Sequence, residues 1–119
     1  MELKTLAILG SSGLIGNRLC KDLRNEYKIV KLNRNLKLKK KSKIDYLICC
    51  SGPNKFWCEK NKKVILKDSS NFAKRVINFY KENNISNLIY CSSIQVLKKK
   101  NYHLIPYIKW HMNIEKYFC

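Results

Sequence analysis

The chain has 119 residues, 45% hydrophobic and 28% charged, which suits one core and is too short for two full domains. No apolar run approaches the ~18 residues of a membrane-spanning helix, and only Thr5–Leu9 separates the charged start from Gly10, too little for a secretory leader. The expectation is a cytoplasmic protein without a membrane partner. Lys and Arg total 25 against 8 Asp and Glu, a formal charge of +17, but only Arg18, Arg24, Arg34 and Arg75 are arginines. A joint excess of Lys, Asn and Ile is what A/T-rich codons produce. Arg, the residue that reads phosphates and bases bidentately, is scarce, so drift and solvation outweigh a nucleic-acid face.

Thr5-Leu6-Ala7-Ile8-Leu9 is a short apolar run stopped by Gly10, and from Leu14 the period lengthens to Ile15, Leu19 and Leu23. That change predicts a strand followed by an amphipathic helix with those three residues facing the core. Lys28–Leu32 alternates as a second strand, and residues 45–50 form a third, buried on both faces. Between them, Asn35 to Lys43 is nearly all Lys and Leu. Nine residues reach up to ~30 Å when extended, enough to cross back to the sheet without a helix. Ser69-Ser70 reads as the opening of a helix with Phe72, Ala73, Val76, Ile77 and Tyr80 facing inward, ended by Asn83-Asn84. Residues 88–91 give another strand. Tyr107 to Phe118 gives a last helix, with Ile108, Met112 and Phe118 near one side. Strand and helix alternate, so the expected fold is α/β: a doubly wound parallel sheet, Rossmann-like, in a single truncated domain over residues 1–119 with no separate substrate domain.

The 6 cysteines form no C-x-x-C pair and no paired Cys/His spacing, so no metal site is expected. Cys49, Cys50 and Cys91 sit in apolar runs and read as small buried hydrophobes rather than disulfide partners or catalytic thiols.

Gly10-Ser11-Ser12-Gly13-Leu14-Ile15-Gly16 falls where the first strand ends and the first helix begins. A dinucleotide needs such a junction: one glycine for the tight turn, another for backbone approach to the pyrophosphate, a third for close helix-strand packing, with the helix's free N–H groups facing the phosphates. The spacing is G-x-x-G-x-x-G rather than G-x-G-x-x-G. Strand, loop, helix and second strand in order give the triplet its specificity. After the second strand, where NAD-preferring folds place a carboxylate for the ribose hydroxyls, the chain reads Leu32-Asn33-Arg34-Asn35. An uncharged Asn33 beside cationic Arg34 suits a 2'-phosphate, so the expected cofactor is NADP, or NAD, with NADP modestly preferred.

The glycine loop, the strand end Ile48-Cys49-Cys50-Ser51-Gly52-Pro53, the stretch Leu88-Ile89-Tyr90-Cys91-Ser92-Ser93 and the later Tyr107 occur in one order. In this the chain resembles extended and atypical short-chain dehydrogenases/reductases, in particular the NAD-dependent epimerase/dehydratase branch, which acts largely on nucleotide-activated sugars. The resemblance implies an NAD(P)-dependent oxidoreductase or epimerase with a nucleotide-sugar substrate, and adds Cys50, Ser51 and Gly52 to the cofactor site. It also implies that Ser93 would polarise the substrate oxygen and Tyr107 act as acid/base. The family places a Lys four residues after the Tyr, on the same helix face, where its charge favours the phenolate. Here that position is His111, with Lys109 two residues from Tyr107 as another stand-in. The family chain continues into a substrate-binding region, whereas this sequence reaches only Cys119. Two alternatives follow: a non-catalytic cofactor-binding module completed by a partner chain or a homo-oligomer, and a basic nucleic-acid-binding protein.

Overall fold

A computed structural model describes residues 2–38, 40–92 and 105–118, grouped into two units, Met1–Gly52 with Asn78–Cys91 and Pro53–Ile77 with Ser92–Cys119. The first unit is built on strand β1 (Thr5–Leu9), helix α1 (Leu14–Leu23), and strands β2 (Lys28–Leu32) and β3 (Tyr46–Cys49). The second holds helix α2 (Lys55–Lys60), a 3-10 turn (Lys62–Val64) and helix α3 (Ile65–Glu82) as far as Ile77. The chain then returns to the first unit through the last residues of α3 and strand β4 (Asn87–Tyr90), and ends in the second with helix α4 (Pro106–Phe118).

Among the described residues the strands are all parallel, in the order β2-β1-β3-β4. β1 is central and every one of its residues is buried, which is why it reads as an uninterrupted apolar run rather than an alternating one. Its N-terminal end is fixed to β3 by a reciprocal pair: the Thr5 N–H donates to Asp45 Oδ2 (2.8 Å) and the Asp45 N–H to the Thr5 carbonyl (3.0 Å). The edge strands β2 and β4 keep exposed positions, as their mixed composition requires. Among the described residues between β2 and β3 there is no helix; the chain there has a turn at Arg34-Asn35 and otherwise no regular structure.

Apart from α2, which the sequence reading did not contain, the order of strands and helices matches that reading, while three details of the expected helices differ. On α1 the inward face carries Gly16 and Cys20, with Leu19 and Leu23 partly buried beside Leu6, Ile8 and Ile48. Ile15, expected inside, is 55% exposed and Leu14 is 92% exposed. Gly16 sits against the loop that precedes it, so the rotation of the helix is set by the glycine and not by the isoleucine one position away. α3 starts at Ile65, not at Ser69-Ser70. The Ser69 hydroxyl is fully buried and donates to the Ile65 carbonyl (2.7 Å), the in-helix alternative to the N-cap role that its type implied. The end of α3 falls where expected: Asn84 has φ +50°, the Ile85 N–H reaches the Tyr80 carbonyl (3.1 Å) and the Asn84 N–H that of Lys81 (3.2 Å), a Schellman closure. On α4, Met112 and Phe118 are only partly buried; the buried face is Ile108, Trp110, His111 and Ile114.

Two side-chain contacts hold α4 on α3. Trp110, with no exposed surface, donates its indole N–H to Asp68 Oδ2 (3.2 Å) and lies 5.4 Å from the Phe72 ring centroid. A buried indole needs that acceptor. One turn on, the Asn113 amide donates to the hydroxyls of Ser69 (2.7 Å) and Ser70 (3.0 Å), which ties α4 to α3 through the serine pair.

Candidate functional site

β1 pairs with β2 on one side and β3 on the other, so the chain reverses its direction of travel across the sheet between β1 and β3. At such a switch point the loops leaving the C-terminal ends of neighbouring strands part and leave a crevice. A cavity of about 390 Å³ lies there. It is lined by Gly10–Gly13 after β1, Leu32–Arg34 after β2 and Cys50–Gly52 after β3. A larger one, about 690 Å³, opens at the other end of the strands near Thr5, Lys28 and Lys40 to Lys43. The first is the candidate site, because strand C-terminal ends, loop N–H groups and a helix N-terminus converge there and not at the second.

The three loop glycines do different work. Gly10 has φ +87°, and a Cβ there would come within 2.8 Å of the Ser51 nitrogen and 3.0 Å of the Cys50 carbonyl carbon. Its N–H donates to the Leu32 carbonyl (3.2 Å), so this one residue brings the ends of all three strands together. Gly16 is buried, and a Cβ on it would run into the Gly10 carbonyl group and lie 3.0 Å from Ser11 Cα. Gly13 differs from both. A Cβ there would meet only the Gly10 oxygen, at 3.4 Å, an ordinary contact, and otherwise enter open space. As the N-cap of α1 it offers no capping side chain, and the first turn carries no acid, so the positive end of the helix faces the cavity side uncompensated.

Asn33 and Arg34 follow β2 on the exposed rim. Asn33 Oδ1 accepts the Asn35 N–H (3.0 Å), and the Leu36 N–H reaches the Asn33 carbonyl (3.0 Å), which closes the turn with Leu36 at φ +53°. Among the described residues no carboxylate lines the cavity, and Arg34 is the charged residue on its wall. Ser11, Ser12, Cys50, Ser51 and Gly52 also contribute to the wall; Leu14, Ile15 and Gly16 do not. These features fit an anionic dinucleotide: backbone access where Gly13 lacks a side chain, an open helix end and a cation near the end of β2.

The cysteines do not all behave as buried hydrophobes. Cys49 is completely buried and burial pushes its thiol up to about 12. Cys50 and Cys91 are only half-buried, and each lies one residue past its strand.

In the second unit Tyr107 and His111 stand one helical turn apart on α4, with ring centroids 4.6 Å apart and edge to face. His111 is 6% exposed, and burial holds its imidazole below the usual histidine range, which favours the neutral form. Lys109 is exposed. A cation does approach Tyr107, from a helix that the sequence reading missed: the Lys55 ammonium lies 5.7 Å from the centre of its ring. α2 is short, but its signal was present in Asn54, whose Oδ1 accepts the Trp57 N–H (2.8 Å) as an N-cap. Ser93 lies outside the described residues. Among the described residues no cluster of His, Cys, Asp and Glu is placed to hold a metal ion, and no helix is long and apolar enough to cross a membrane.

The parallel order β2-β1-β3-β4 with a glycine turn at its switch point is a Rossmann-like α/β fold. No family model and no curated protein matches the sequence. Solved structures do match. The chain superposes on one named DdhaC with a TM-score of 0.74 at 16% identity, over 98% of this chain and 42% of that one. It superposes on the aureusimine biosynthetic cluster reductase domain with a TM-score of 0.67 at 13% identity, over 98% of this chain and 45% of that one. The chain thus spans less than half the length of either.

Proposed function

We propose that the chain binds a nicotinamide dinucleotide at the C-terminal edge of its sheet, NADP(H) in preference to NAD(H). The observation that carries this reading is the contrast among the glycines: Gly10 and Gly16 are needed by the fold, whereas Gly13 leaves open space at a helix N-terminus beside a cavity with a cationic wall. Likeness to a reductase domain supports the same reading. The test is thermal. NADP(H) raises the melting temperature of the chain, by an amount equivalent to about 2.7 kcal/mol at a hundredfold excess over Kd. In Gly13→Val the free protein melts close to wild type, since the added atoms enter open space, but the shift with NADP(H) disappears. An equal shift in both proteins, or none in either, would remove the dinucleotide from this site.

Arg34 governs the choice of cofactor in this reading. Arg34→Ala weakens NADP(H) binding by roughly 1–3 kcal/mol, the range of a lost charge-assisted hydrogen bond, and leaves NAD(H) binding unchanged. Isothermal titration with both cofactors checks it; unchanged binding of both reduces Arg34 to a surface cation.

The finer reading, a short-chain reductase of the epimerase/dehydratase kind that acts on a nucleotide sugar, assigns Tyr107 as acid/base with Ser93 on the substrate oxygen. Bound nicotinamide would supply the hydride acceptor or donor. A second reading, a cofactor-binding module that needs another chain for activity, is favoured by one observation. His111, in the position of the family's lysine, is buried and disposed to be neutral, so it brings no charge to Tyr107. NADP(H) binding without turnover on a panel of nucleotide sugars separates the module from the enzyme. Binding of oligonucleotides with a steep salt dependence would replace both.

A further inference from the structure

Cys50 and Cys91 are far apart in sequence and meet at the rim of the sheet. β3 and β4 run parallel with Cys49 opposite Tyr90, and the Cys91 N–H donates to the Cys49 carbonyl (3.0 Å), so the register carries Cys50 opposite Cys91. Their sulfurs are 3.5 Å apart, close enough for one S–H to point at the other sulfur. A disulfide needs about 2.0 Å, and neighbouring strand positions already satisfy its Cα spacing of ~4.4–6.8 Å. Both thiols are half-buried, open to a small oxidant, while Cys20, Cys49 and Cys58 are buried. From this geometry we infer that Cys50 and Cys91 form a redox-modifiable thiol pair, which a hydroperoxide converts to a reversible cross-strand disulfide.

The electrostatics fit an attacking and a resolving partner. The hydrogen bond from Cys50 lowers the Cys91 thiol to about 7, whereas the same bond and burial raise Cys50. A hydrogen bond donated by Cys50 favours the thiolate of Cys91, which makes Cys91 the attacking sulfur in this reading. The Cys91 thiolate attacks one oxygen of the hydroperoxide, an S–O bond forms, the O–O bond breaks, and hydroxide or alkoxide leaves and takes up a proton from solvent. The sulfur of Cys50 then displaces the hydroxyl from the Cys91 sulfenic acid, forms the S–S bond, and gives up its proton to the departing hydroxide as water. Two thiols are oxidised by two electrons and one hydroperoxide is reduced. The inference does not depend on dinucleotide binding and is read without cofactor.

The experiment treats the reduced full chain with a small excess of hydrogen peroxide and follows intact mass and tryptic peptides. Wild type loses two hydrogen atoms, yields a crosslink between the peptides holding Cys50 and Cys91, and recovers its mass with dithiothreitol. Because Cys49 shares a peptide with Cys50, Cys49→Ala retains the crosslink, while Cys50→Ser and Cys50→Ala both lose it; Cys50→Ser, whose hydroxyl still donates to the Cys91 sulfur, instead accumulates a dimedone-trappable sulfenic acid at Cys91. A crosslink that survives in the Cys50 variants overturns the proposal. So does one that joins Cys20 to either partner, irreversible oxygen addition without a crosslink in wild type, or no reaction at peroxide concentrations that oxidise free cysteine.

Discussion

Gly16→Val is expected to unfold much of the protein at temperatures where the wild type is intact, with a loss of roughly 3 kcal/mol or more in chemical denaturation. The atoms that the new Cβ would meet are the carbonyl group of Gly10 and the Cα of Ser11. These are backbone atoms and cannot turn aside as a side chain would, so α1 or the loop before it must move. Gly10 cannot absorb that movement cheaply. It is itself held at φ +87° with its Cα face against Ser51, and it is bonded to β2. A loss of that size is a large share of the 5–15 kcal/mol typical of a domain. The comparison with Gly13→Val makes the result specific: both variants add the same side chain within the glycine motif, but only the one at position 16, inside α1, should lower the denaturation midpoint strongly. Equal midpoints in the two would mean that the helix does not rest on the loop as described.

Trp110→Ala should cost about 3–5 kcal/mol, the range for removing a large buried aromatic. The residue has no exposed surface, packs against Phe72 and satisfies its N–H through Asp68. Trp110→Phe keeps most of the ring contact and loses the hydrogen bond to a carboxylate that remains partly open to water, so a cost of roughly 1–2 kcal/mol is expected. Urea denaturation of both variants checks the order. If the phenylalanine costs as much as the alanine, the contact with Asp68 and not the packing dominates this helix.

The elements that the sequence specified by itself are those with one strong local cause. β1 is a run of buried apolar residues ended by a glycine whose φ other residues rarely adopt, and β2 fell on the residues expected. Asn84 stopped α3 because asparagine tolerates the left-handed conformation. The glycine motif was legible for the same reason at Gly10 and Gly16, where close backbone approach leaves room for no other residue. Choices that depend on a neighbour distant in sequence were settled only by the tertiary structure. Ile15 and Cys20 have similar claims to the core by hydrophobicity, and the contact of Gly16 with Gly10 turned Cys20 inward. Ser69 could cap a helix or bond back within one, and Asn113 on α4 together with the Ile65 carbonyl decided the second. Cys50 and Cys91 read as ordinary apolar residues until parallel pairing of β3 and β4 set their sulfurs 3.5 Å apart, because register between strands is a property of the sheet and not of either segment.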